Sequence, residues 1–157
     1  MSGPREGLRR VLLYAWAIIS RPFVSLSSAS WLERSRILVI RPDHLGDLLF
    51  STPALRLLRA AFPTAHIAAL VGPWGEDVAR RNPALDEILT CEFPGFARQP
   101  KGSLLAPYRL LQREARRLRS FDLAIVLRFD HWWGALLAYT ACIPRRWGYD
   151  IPECRPF

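Results

Sequence analysis

The chain is nearly devoid of lysine. Of 22 basic residues only Lys101 is a lysine, so the lysine-rich tail of a nucleic-acid binder is absent, as is an RNA-binding aromatic signature. No nucleic-acid partner is expected. Cysteine is scarce as well. Cys91, Cys142 and Cys154 are odd in number and form no CxxC pair, which argues against a disulfide framework and for reduced thiols in a cytosolic compartment. His44, His66 and His131 show no metal-ligand spacing, so no metal is expected. Three phosphate- and acyl-handling motifs are missing. No GxGxxG follows the first strand, no GxxxxGK[ST] occurs, and there is no GxSxG elbow. A dinucleotide-binding domain, a P-loop enzyme and an elbow-type hydrolase are thereby disfavoured. There is no internal repeat and no low-complexity tract.

Half of the 157 residues are hydrophobic and 23% are charged, a globular composition of about one domain. The formal charge of +8 and pI near 10.4 call for an anionic partner such as acidic lipid or a phosphorylated substrate. Arginine suits forked phosphate contacts. Residues 1–36 hold six arginines against two glutamates.

Residues 1–35 read as a unit of their own. Arg5, Arg9 and Arg10 precede a nine-residue apolar run, Val11 to Ile19, shorter than the about 20 residues that span a bilayer. Three readings compete. The stretch 5–24 is a helix lying on an anionic membrane, with Tyr14 and Trp16 at the interface; it is a helix packed on the domain or on a neighbouring chain; or it is a signal peptide. The interfacial helix is preferred, and Ser25 to Ser30 then serves as linker.

From residue 36 onward strands alternate with helices. Ile37 to Ile40 is the short apolar run of a buried parallel strand. A polar turn, Arg41 to Asp47, follows, and then Leu48, Ala54, Leu55, Leu58 and Phe62 fall on one helical face. Further strands are expected at Ala65–Val71, Asp86–Cys91, Leu123–Leu127 and Arg145–Asp150. Between them come a short helix from Trp74 to Arg81, an amphipathic helix with Leu104, Tyr108, Leu111, Ala115 and Leu118 as its stripe, and a helix from Asp130 to about Ala141. This pattern predicts an α/β fold, a Rossmann-like parallel sheet of about five strands with right-handed crossovers. The ligand site of such a sheet lies beyond the carboxyl ends of the strands.

The stretch ILVIRPDHLGDLLFSTPALRLLRAAFP, followed by HIAALVGPW and NPALDEIL, resembles the opening of the family 9 glycosyltransferases, the ADP-heptose:lipopolysaccharide heptosyltransferases and their relatives. The resemblance covers about residues 36 to 150. It implies the amino-terminal, acceptor-side domain of a two-domain GT-B enzyme, residues 36–157, with the second GT-B domain absent. The implied reaction moves a heptose-like sugar with inversion from an ADP-sugar to a lipopolysaccharide core acceptor. ADP-heptose is then a substrate, and no cofactor or catalytic metal is implied. On this reading no turnover is expected of the chain alone. The enzyme would sit in the cytoplasm, peripheral on the inner face of the cytoplasmic membrane. The rival reading is a non-catalytic half-domain that binds a phosphorylated glycan or a partner chain.

The candidate site residues follow from both lines. Asp47 stands at the strand edge, where a carboxylate can act as general base. It matches the aspartate of the family's Gly-Asp pair, the proposed catalytic base, although a helix cap explains the same residue. Gly46 would let substrate approach the backbone closely. Thr52 borders the cleft in the resemblance, while Ser51-Thr52-Pro53 also reads as a helix cap or as a kink in one continuous helix. Arg98, Lys101, Arg109 and Arg113 match a basic acceptor-binding region of heptosyltransferases, with Arg98 and Lys101 the preferred contacts. Asp130 ends the fourth strand and either shapes the acceptor pocket or caps the next helix. Asp43 and His44 read as plain loop residues, and Gly148-Tyr149-Asp150 as structural.

Overall fold

A computed structural model describes residues 34–96, 106–155 and 157. Five strands form one parallel sheet: β1 (Arg36–Arg41), β2 (His66–Val71), β3 (Glu87–Thr90), β4 (Leu123–Val126) and β5 (Arg145–Trp147), in the order β3-β2-β1-β4-β5. The helices are α1 (Leu45–Phe50), α2 (Thr52–Ala61), α3 (Glu76–Arg80), α4 (Ala106–Arg117) and α5 (Trp132–Thr140). The α/β parallel sheet expected from the alternation of elements is the fold observed.

The central strand explains the core. Ile37 to Ile40 are each at most 1% exposed, because β1 is paired on both sides and covered on both faces. Leu38 and Ile40, with Ala124 and Val126 of β4, face α4 and α5 through Leu111, Ala115, Leu136 and Leu137. On the opposite face Ile37, Val39 and Leu123 meet Leu55 of α2. Leu48 and Ala79 cover Ala69 and Val71 of β2. Each side chain alternates with its neighbour across the sheet, as the period of two requires. A continuous apolar run is what survives when both faces are buried.

Some local expectations are revised. α1 and α2 are separate helices that abut at Ser51, whose hydroxyl donates to the carbonyl of Leu48 (2.6 Å) and not to a helix amide. Pro53, lacking an amide hydrogen, sits at the start of α2 where that donor is not needed. Ala54 is exposed. In α4 the first turn stands clear of the core, so Tyr108 is 52% exposed, and Glu114 lies buried on the inner face instead. That carboxylate is compensated by Arg113 (3.0 Å) and Arg117 (2.8 Å). The fifth strand stops at Trp147, leaving Gly148, Tyr149 and Asp150 beyond it. No helix among the described residues is long and apolar enough to cross a membrane. The basic segment 5–24 lies outside the described residues.

Candidate functional site

The chain leaves β1 toward β2, and it returns across the sheet to β4 on the other side of β1. The carboxyl ends of β1 and β4 therefore flank the topological switch point, where a crevice opens in folds of this kind. Both strands end in the same pattern. Arg41-Pro42-Asp43 follows β1's apolar run, and Arg128-Phe129-Asp130 follows β4's. Hydrophobic burial carries each run to the edge of the sheet, and an arginine and an aspartate emerge there.

These two Arg-x-Asp pairs interlock. Asp43 is only 3% exposed and receives Arg128 on Oδ1. Arg41 Nε lies 2.9 Å from its Oδ2, an ion contact whose angle falls short of a hydrogen bond. Arg128 also holds the Asp130 carboxylate, with Nη2 donating to Oδ2 at 3.2 Å. The Asp130 hydrogen bond is the main cause of the raised Arg128 pKa, and the Arg128 hydrogen bond of the lowered Asp130 pKa. Arg41 meanwhile donates to the main-chain oxygens of Leu127 (2.5 Å) and Asp47 (3.2 Å). The main-chain oxygen of Asp43 accepts the Trp74 indole N–H at 2.8 Å. The Trp74 ring lies against Gly72 so closely that a Cβ there would stand 2.2 Å from it. Loops after β1, β2 and β4 are thus bound into one unit.

Asp47 occupies the first turn of α1. It is exposed, and among the described residues its carboxylate has no hydrogen-bond or ion-pair partner. The N-cap of α1 is His44, without a side-chain capping bond, so Asp47 makes no capping hydrogen bond. The helix dipole still favours its charge. Above Gly46 an added Cβ would meet nothing within 4 Å, so the space over the Gly46-Asp47 step is open. Asp130 does not cap α5 either: the N-cap is His131, and the Asp130 carboxylate is committed to Arg128. Thr52 is half-buried and lines a groove with Arg56, Val78 and Arg81, apart from the Arg41–Asp130 network. Arg109 is exposed, and Arg113 pairs with Glu114. Arg98 and Lys101 lie outside the described residues. Among those described, no cluster of three or more His, Cys, Asp or Glu could hold a metal.

Behind the network sits an aromatic cluster. His131 is 5% exposed, edge-on to Phe93 (5.3 Å) and Phe96 (5.8 Å). Both ring nitrogens are buried without a hydrogen bond. Burial first, then the positive charge of Arg128, depress its pKa to about 4, so the ring is neutral near pH 7. Arg128 lies 5.0 Å over the Phe96 ring, a cation–π contact that fixes the guanidinium plane. Sequence reasoning passed over Arg41, Arg128 and Trp74 and treated Asp43 as a turn residue. The repeated Arg-x-Asp after two buried strands was the available signal.

The sheet is Rossmann-like, and an exposed carboxylate stands at its switch point. The chain is 29% identical over 114 residues to lipopolysaccharide heptosyltransferase 2 of Salmonella typhimurium and, to the same extent, to that of Escherichia coli. These matches cover 73% of this chain and 31% of each relative. The crystal structure of the glycosyl transferase family 9 from Veillonella parvula matches 80% of this chain and 34% of its own, with TM-score 0.63 and 27% identity. The E. coli ADP-heptose lps heptosyltransferase II structure matches with TM-score 0.58 and 28% identity over 76% of this chain. No protein-family profile matches. The likeness to family 9 glycosyltransferases is therefore borne out in sequence and in fold. The chain spans about a third of the length of the relatives it matches.

Proposed function

We propose that residues 36–157 are the acceptor-side domain of an inverting glycosyltransferase. It moves a heptose-like sugar from an ADP-sugar donor to a lipopolysaccharide core acceptor. The observation that carries this reading is the exposed carboxylate of Asp47 at the switch-point edge, without a partner among the described residues, in a chain similar to two heptosyltransferases. In the reaction, Asp47 accepts the proton of the acceptor hydroxyl as its oxygen attacks the anomeric carbon. The bond from that carbon to the diphosphate oxygen breaks, and ADP leaves with the electron pair. Attack opposite the leaving group inverts the centre. Gly46 leaves room for the acceptor beside the carboxylate. Arg98 and Lys101 contact acceptor phosphates, and Asp130 borders the pocket while held by Arg128. The complementary donor-side domain supplies most contacts to the nucleotide sugar. The arginine-bearing segment 5–24 keeps the enzyme peripheral on the anionic inner face of the cytoplasmic membrane, near its lipid-linked acceptor.

The test is transfer from ADP-heptose to a lipopolysaccharide core acceptor, by the chain alone and fused to a family-type carboxyl-terminal half. Activity that collapses in Asp47→Asn is the expected result. Activity untouched by Asp47→Asn would remove the base assignment. A folded fusion without transfer from ADP-heptose or related ADP-sugars would favour a non-catalytic glycan-binding half-domain.

A further inference from the structure

We propose that Arg41 is a positioning residue that holds Asp47 at the switch point, with Asp43 as its anchor; this rests on Asp47 acting as the base. Three acceptors from different parts of the fold converge on the Arg41 guanidinium. One is the Asp47 main-chain oxygen at 3.2 Å, in the first turn of α1. The second is the Leu127 oxygen at 2.5 Å, on the neighbouring strand end. The third is the Asp43 carboxylate at 2.9 Å, inside the loop itself.

A planar guanidinium can donate to two separated main-chain oxygens while its Nε edge faces a carboxylate, and a compact ammonium cannot span the three positions. Asp43 in turn is fixed from outside the loop, by Arg128 after β4 and through its own carbonyl by Trp74 after β2. The segment 42–47, loop and first turn of α1 together, is thus tied near its start and at its end to three strand termini. The Asp47 carboxylate, which has no partner among the described residues, inherits its place from this main-chain clamp. A base held through its backbone keeps its oxygens unencumbered for substrate. A carboxylate fixed by a direct ion pair would lose acceptor capacity and basicity to that partner.

The test compares Arg41→Lys, Asp43→Asn and Asp47→Asn in the intact chain and in its fusion to a family-type carboxyl-terminal half. The first readout is amide hydrogen exchange across residues 42–50, which needs no turnover. Arg41→Lys and Asp43→Asn should speed exchange at Leu48 to Phe50, the amides bonded within α1, at least tenfold, and Asp47→Asn should not. The second is kinetic: Arg41→Lys should lower kcat by about 10- to 100-fold, as small misplacements of reacting groups do. KM should change little, and the loss should not add to that of Asp47→Asn. Unchanged exchange in Arg41→Lys overturns the proposal, as does a fully additive kinetic loss. Full activity in Arg41→Lys beside an inactive Asp47→Asn defeats the clamp while sparing the base. Full activity in Asp47→Asn defeats the base itself.

Discussion

Arg128, two residues past the end of β4, reaches across the switch point to the carboxylate of Asp43, which is buried at the end of β1. The two residues are 85 positions apart in the chain. Because Asp43 is almost wholly withdrawn from water, truncating its partner leaves a buried charge short of compensation. Arg128→Ala should therefore destabilise the domain by about 3 kcal/mol. Adding Asp43→Ala to that variant should cost less than the sum of the single changes, since the two share one interaction. Chemical denaturation of the four members of the cycle measures both quantities, and simple additivity would show the contact to be energetically idle.

His131 makes stability depend on pH over a defined window. Its pKa is depressed from 6.5 to about 4 in the fold, by burial first and by Arg128 second, with Asp43 and Asp130 opposing. The unfolded chain thus binds a proton between those values that the folded chain refuses. The associated stability is complete above about pH 6.5 and declines as pH falls toward 4, by about 3 kcal/mol in total. Below 4 this contribution is exhausted. Replacing His131 with Phe, an apolar ring among Phe93, Phe96 and Trp133, should flatten the profile in that window. Urea denaturation midpoints from pH 7 to 4 give the comparison, and an unaltered slope in His131→Phe would refute the assignment.

Glu114 offers a different kind of test. Its carboxylate is 2% exposed, whereas the Arg113 side chain is 73% and the Arg117 side chain 40% exposed. Replacing Glu114 with Met removes the desolvated charge and lets both arginines hydrate. That variant should stay within about 1 kcal/mol of the parent or gain stability. Arg117→Ala leaves the buried carboxylate with less compensation and should cost about 1–2 kcal/mol. Thermal unfolding of the two variants should rank them in that order; the reverse order would show the ion pairs to be net stabilising.

Much of this domain is legible locally. Ile37–Ile40, Ile67–Leu70 and Leu123–Val126 are apolar without alternation because each strand is buried on both faces, and that pattern survives in the bare sequence. The order of strands and helices, the position of the Gly46-Asp47 step at a strand edge and the resemblance to family 9 glycosyltransferases were all available there. Residues next to one another in the chain share an environment, so runs and periods record it.

What only the tertiary structure decided is the company these residues keep. The reading of Asp43 as a turn residue was reasonable for the sequence Arg-Pro-Asp, yet its carboxylate answers to Arg128 from across the sheet. Tyr108 left its expected place in the apolar stripe because the start of α4 stands clear of the sheet, which periodicity does not register, and Glu114 is buried on the inner face. Asp130, read as either a pocket residue or a cap, pairs its carboxylate with Arg128, and the N-cap of α5 is His131. Polar groups find partners by direction and distance after the backbone is placed, and one charge can satisfy acceptors far apart in sequence. Apolar burial is written along the chain; the clamp around Asp47 exists only once β1, β2 and β4 end side by side.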